Sequence, residues 1–253
     1  MITIGITAGK GGVGKSTLAF NLAYELARTQ RVLAIDCDPQ ASLSWAFDLS
    51  TGPTLADILT ATNTRRVTRE AIQVISPTLH VIPSSIALSS AATSFAGKPG
   101  NLKRISAIIA TIATDYDVCL LDSPPALETL GLNVLCAANG VIVPLIPDGV
   151  TLNAVSNLLA TIDEVKQYEN PNLCLIGIVA MQYSEQLAHH QTALQALRDA
   201  DIPLFNTRIG RSIKVTEAMS AHKPVLIYEP RNVRAQEFAR LANEVNTWLI
   251  NQR

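Results

Sequence analysis

Residues 9–16, Gly9-Lys10-Gly11-Gly12-Val13-Gly14-Lys15-Ser16, limit the fold of this 253-residue chain more than any other stretch. They satisfy the pattern G-x-x-x-x-G-K-[ST] in the context it requires. The apolar run Ile2–Thr7 before them reads as a strand, and Ser16–Thr29 behind them reads as a helix. A glycine-rich turn between strand and helix lets backbone N–H groups close around an anion without Cβ clashes. The helix that follows adds its positive N-terminal end. The amides of Gly11, Gly12, Val13 and Gly14 are thus candidate phosphate ligands. Lys15 is expected to reach the β- and γ-phosphates of a nucleotide, and the Ser16 hydroxyl to bind Mg2+. Lys10 has two readings at this point: a solvated loop charge, or a cation offered to a phosphate in another subunit.

The rest of the chain supplies the scaffold such a loop needs. Apolar β-rich runs alternate with helical patterns. Strands are expected at Arg31–Asp36, Leu79–Pro83, Val118–Asp122, Gly140–Leu145, Leu173–Ala180 and Pro203–Thr207. Helices are expected at Leu102–Ala113, Leu152–Tyr168, Gln191–Ala200, Val215–Ser220 and Arg234–Ile250. Hydrophobic residues make up 48% of the chain and aromatics only 5%, a palette suited to parallel strands buried on both faces. The expected fold is α/β: a single P-loop NTPase domain over residues 1–253, its mostly parallel twisted sheet flanked by helices on both faces.

Acids at two strand ends complete the candidate site. Asp36 and Asp38 follow one apolar run, in Ile35-Asp36-Cys37-Asp38-Pro39-Gln40, and Asp122 ends another, Cys119-Leu120-Leu121-Asp122. Ligands of parallel α/β sheets bind at the carboxyl ends of the strands, which is where the Gly9–Ser16 loop also lies. A carboxylate there holds Mg2+ directly or through water, and another orients the attacking water.

Net charge is −1, so global charge attracts neither DNA nor anionic lipid. Its distribution is uneven. Between Ile105 and Leu197 the only Lys or Arg is Lys166, against nine acids. Cations gather instead in Arg65–Arg104 and in a late segment holding Arg208, Arg211, Lys214, Lys223, Arg231 and Arg234. Cys37, Cys119, Cys136 and Cys174 form no C-x-x-C pair and read as reduced core residues. The N-terminus lacks a charged leader with an apolar stretch, and no run of 18 apolar residues occurs, so neither a signal peptide nor a membrane span is expected.

With these motifs in hand, the sequence resembles the ParA/MinD class of deviant Walker-A ATPases, in particular short Soj-like ParA partition proteins, over nearly its whole length. Lys10 to Thr17 looks like the family's signature-lysine loop. Asp36 to Ser44 looks like its ParA-type aspartate motif, and Tyr116 to Pro125 like its Walker B segment. Arg208 to Ala218 and Lys223-Pro224-Val225 look like its late basic segment. The resemblance implies an ATPase with ATP and Mg2+ as cofactors. Lys10 would cross a homodimer interface to the partner's nucleotide. Lys15, Ser16 and Thr17 would hold phosphates and Mg2+. Asp38 would position the hydrolytic water, with Asp36 and Asp122 on the metal side. It also implies an ATP-dependent homodimer, binding of non-specific DNA through Arg211, Lys214 and Arg234 or the Arg65–Arg69 stretch, and a ParB-like or other adaptor that stimulates hydrolysis.

The implied place is the cytoplasm, on the nucleoid, with no membrane contact and without the separate helix-turn-helix module of longer ParA proteins. The chain departs from the family in having Gly210 where proline is frequent. An alternative is a MinD-like membrane-cycling regulator of division. It would need a basic amphipathic end, and Ala242–Arg253 offers only one cation, with Val245, Trp248 and Leu249 on one face as for core packing. A metal-cluster ATPase is disfavoured by the cysteine spacing.

Overall fold

The computed structural model describes residues 1–148 and 151–252, with side chains described outside 151–154. Seven strands form one sheet: β1 (Ile2–Ile6), β2 (Val32–Asp36), β3 (Gln73–Ser76), β4 (Leu79–Ile82), β5 (Val118–Asp122), β6 (Gly140–Leu145) and β7 (Cys174–Ala180). Their order is β3-β4-β2-β5-β1-β6-β7. Every pairing is parallel except that of β3 with β4. The central strands are apolar runs because both of their faces are covered.

Alternation along each strand decides which layer a residue joins. Ile4, Ile6, Val32, Ala34 and Leu120 face one layer. There α1 (Lys15–Leu26), α2 (Ser42–Ala46) and α12 (Val233–Asn251) pack, the last two bringing Leu43 and Phe238. Leu33, Ile35, Cys119 and Leu121 face the other layer, which holds α3 (Leu55–Thr60), α5 (Ala87–Phe95) and α6 (Arg104–Ala110). Farther along that face, Val141, Val143 and Ile178 meet α8 (Thr151–Tyr168) and α9 (Ala188–Asp199). The remaining helices are α4 (Thr64–Ala71), α7 (Thr129–Ala137), α10 (Ile213–Ser220) and α11 (Val225–Tyr228).

One expected strand does not form. Residues 203–207 only touch the β7 edge, through an isolated bridge between Ile178 and Leu204. Two amides of this segment are drawn away from the sheet: Asn206 N–H and Thr207 N–H both donate to the Glu244 carboxylate of α12, at 2.8 Å each. The chain returns to the sheet at Ile209, whose N–H donates to Ala180 O at 2.8 Å. The expected 102–113 helix is shorter, with a 3-10 turn at Asn101–Lys103 before α6.

The apolar stripe near the C-terminus faces inward. Val245 and Leu249 are buried and Trp248 packs against the same core. Arg253, the one cation of that tail, lies outside the described residues.

Candidate functional site

The loop between β1 and α1 has the backbone an anion cradle needs. Gly12 and Gly14 have φ of 76° and 94°, a region that side chains with a Cβ disfavour. Gly14 is also the N-cap of α1, so no side chain caps that helix, and no acid lies in its first turn. The first-turn N–H groups and the positive end of the helix dipole are thereby left for an external anion. Gly9 to Gly12 are exposed while Val13 and Lys15 are buried, and Ser16 and Thr17 lie between these extremes. The loop is accessible at its tip and anchored at its base.

Three acids converge below Lys15. Parallel pairing of β2 with β5 sets Asp36 directly beside Asp122, and both are fully buried. Burial pushes the Asp122 carboxyl well above the usual carboxylate range, and neighbouring Asp36 adds to it. Ser16 and Lys15 pull it back. The Ser16 hydroxyl is near enough to favour the ionised form, yet neither Asp122 oxygen has a hydrogen-bond partner of good geometry.

Asp36 differs from Asp122. Its Oδ2 accepts from Ser44 N–H at 2.8 Å and Ser44 Oγ–H at 2.7 Å, and its Oδ1 accepts from Asp38 N–H at 3.1 Å. Burial still lifts its carboxyl to about 6, the Ser44 hydrogen bonds opposing the rise. Asp38 Oδ1 accepts from Gln40 N–H at 2.9 Å. Lys15 is shifted down by burial, against the pull of Asp122 and Asp38.

A buried carboxylate with two unpartnered oxygens, beside a second buried carboxylate, is costly unless a cation joins it. The arrangement fits Mg2+, which takes one or two protein oxygens and completes its octahedron with water and phosphate. Asp122 and Ser16 are the residues that could hold it. Asp36 is already directed at Ser44 and braces the loop that carries Asp38.

The other expected residues fall elsewhere. Lys10 is 65% exposed at its side chain, and its Nζ lies 3.4 Å from Asp148 Oδ2, itself 44% exposed. Arg211 is exposed. Lys214 is ion-paired with Glu217 at 2.8 Å. Arg234 is only 19% exposed and ion-paired with Glu237 at 3.1 Å, so it differs in kind from Arg211. In the Arg65–Arg69 stretch, Arg66 pairs with Glu70 and Arg69 with Asp115.

Several contributors escaped the sequence reading. Asp148 follows β6 as Asp38 follows β2, so the strand-end rule could have found it. Ser44 lies inside a motif already quoted, but its service to Asp36 needs the third dimension. Glu237 and Glu244 had no signal at all.

Comparison with known proteins places the chain in a family. Residues 1–175 match the family model described as an AAA domain. Over 241 residues the chain is 35% identical to the chromosome-partitioning ATPase Soj of Thermus thermophilus, covering 93% of this chain and 92% of that one. The chain belongs to the Soj/ParA family of P-loop ATPases. It is similar in structure to cobyrinic acid a,c-diamide synthase from Mycobacterium smegmatis with bound ATP analogue and magnesium. The TM-score is 0.84 at 25% identity, covering 96% of this chain and 93% of that one. Apo McdA of Cyanothece shares the fold with a TM-score of 0.86 at 21% identity, over 97% of this chain and 99% of that chain.

This Soj/ParA-type protein is an ATPase whose cofactors are ATP and Mg2+. Among the described residues, no helix is long and apolar enough to cross a membrane.

Proposed function

We propose that this chain is a DNA-partition ATPase. Two copies close face to face around ATP, and the closed dimer holds non-specific DNA. Hydrolysis, stimulated by a ParB-like or other adaptor, releases it, and the cycle positions a plasmid, a chromosome or another cargo on the nucleoid. The observation that carries this reading is the contrast between two lysines of one loop. Lys15 is buried among the acids, where it serves the nucleotide of its own subunit. Lys10 projects from the exposed tip, in a solvent-accessible pair with Asp148. Such pairs are worth little, about 0–1 kcal/mol, so the lysine is free to exchange Asp148 for a phosphate of the partner.

In this mechanism the amides of Gly11 to Gly14 cradle the phosphates, and Lys15 neutralises charge on the β- and γ-oxygens. Ser16, Thr17 and Asp122 arrange the metal side, with Asp36 bracing it through Ser44. When bound, Mg2+ draws charge off the phosphate oxygens. Asp38 orients a water for in-line attack on the γ-phosphorus. Arg211 and Lys214 contact DNA phosphates, and a dimer presents two such patches at once. The C-terminal apolar stripe is buried in the core, which favours DNA over a membrane as the docking surface.

Asp38→Ala tests the cycle. Phosphate release is expected to slow by about 100-fold, the scale for losing a group that positions the nucleophile. Sedimentation with Mg·ATP is expected to show a dimer. A monomer with ATP under these conditions, or unchanged turnover, contradicts the assignment.

A further inference from the structure

Gly210 lies at a crossing of three interactions. Its N–H donates to Glu237 Oε2 at 2.9 Å. The same carboxylate oxygen is ion-paired with Arg234 Nη1 at 3.1 Å. The Arg234 guanidinium rests so closely on Gly210 that a Cβ there would overlap its Nη1. Arg234 and Glu237 are three residues apart on α12 and share one face. Asn232 caps that helix by accepting from Arg234 N–H at 2.9 Å, so Arg234 sits on a fixed first turn.

The segment before Gly210 is held from both sides. On the sheet side, Tyr183 N–H donates to Ile209 O at 2.9 Å, and Arg208 Nη1 donates to Tyr183 Oη at 2.8 Å. On the helix side, Glu237 takes the Gly210 amide and Glu244 those of Asn206 and Thr207. Beyond Gly210 the chain emerges at exposed Arg211, and Ser212 then caps α10 by accepting from Lys214 N–H at 3.2 Å. An open cleft of about 1200 Å³ borders this crossing, with Arg208, Arg211, Arg240 and the edge of Arg234 on its walls.

We propose that Arg234 and Glu237 are positioning residues: they clip Gly210 to α12 and thereby set the direction in which Arg211 and Lys214 face a nucleic-acid backbone, Arg234 itself making no contact with the phosphates. The assignment of DNA as ligand rests on the function proposed above, but the clip does not. A guanidinium that is mostly buried and already shares a carboxylate with a backbone amide is poorly placed to meet a solvated phosphate. Gly210 is the residue that lets it approach.

Two measurements decide the matter. Without DNA, amide exchange reports the clip directly. The Gly210 amide should be protected in the wild type and in Glu237→Gln, which keeps an acceptor, and should exchange much faster in Glu237→Ala. Equal protection in Glu237→Ala overturns the proposal, whatever the protein does with DNA.

With Mg·ATP, binding to a random duplex is measured against salt for Gly210→Ala, Arg234→Ala, Arg211→Ala and the Arg211/Arg234 double alanine variant. Gly210→Ala keeps the Arg234 charge but evicts it, and should weaken binding about tenfold, as should Arg234→Ala. The double variant should bind no worse than the weaker single variant, because Arg234 acts through Arg211. Arg234 is instead a direct contact if its loss lowers the salt slope by a further ~0.9 on top of Arg211→Ala, or if Gly210→Ala binds as well as the wild type. If the wild type binds no DNA, the functional reading fails and the exchange result alone judges the clip.

Discussion

The edge that carries the phosphate loop and the edge that carries the late basic segment are built by different means. At the first, Lys15 at the start of α1 is buried with Asp36, Asp38 and Asp122 at or just beyond two strand ends, and among the described residues neither Asp122 oxygen has a hydrogen-bond partner of good geometry. At the second, exposed Arg211 and Lys214 extend from a segment that is tied on both sides, to β7 and to α12. One edge stores unmet electrostatic demand; the other meets its demands internally and leaves cations outside. A ligand of the first edge completes it, whereas a ligand of the second only adds to it. Losses at the first edge are therefore expected to be steep, and losses at the second shallow and sensitive to salt.

The largest effect that would test this contrast is at Lys15. Lys15→Ala removes the buried cation that offsets Asp122 and Asp38 and leaves the phosphates without their strongest donor. Hydrolysis should fall by about 100-fold or more, the scale for removing one preorganised donor. Calorimetric titration should find ATP binding lost. Tight binding in this variant would show that the first edge does not depend on its charge.

That edge was the legible part of the sequence. The glycines and Lys15 announce themselves at fixed spacing, and Asp36 and Asp122 end apolar runs too short to be helices. The buried parallel strands were legible for the same reason. The exposed or short pieces were not. The β3 strand has four residues and none is fully buried, so its pattern carried no face. The α3 helix has six residues and betrays itself only by its capping box, Thr54 with Asp57. The second edge was legible as composition alone. Arg211 and Arg234 look alike in sequence, and only Glu237, distant from Gly210 along the chain, separates an exposed cation from a buried one.

A smaller loss tests how far the demand of the first edge spreads. Ser44 gives both its N–H and its hydroxyl to Asp36 and accepts Ser84 N–H at 2.8 Å. Ser44→Ala leaves a buried carboxylate with one donor fewer and a buried amide without an acceptor. Denaturant unfolding of the apo protein should show a loss of about 1–3 kcal/mol. ATP turnover should fall too, since Asp38 N–H is tied to the same carboxylate. Full stability with full activity would mean that Asp36 does not brace the site.

Arg211→Ala probes the other side. It should weaken binding to every DNA sequence several-fold and lower the salt slope by about one. ATP hydrolysis without DNA should be unchanged, because among the described residues no hydrogen bond or ion pair joins Arg211 to the acids. A change confined to one DNA sequence would mean that this edge reads bases, and the comparison would have to be redrawn.

The smallest expected effect is at Arg66, within the other cluster of cations. Its guanidinium pairs with Glu70 at 3.2 Å across one turn of α4, and both side chains are largely in water. Such a pair contributes no more than about 0.5 kcal/mol. Arg69 is engaged with Asp115 in the same way, at 3.5 Å, so two of the three arginines of this stretch already face acids. Arg66→Ala should leave both thermal stability and the salt dependence of DNA binding within error of the wild type. A fall in salt slope comparable to that of Arg211→Ala would make α4 a second DNA-contacting surface. The division into one electrostatically unmet edge and one cationic edge would then give way to a protein that meets DNA on two sides.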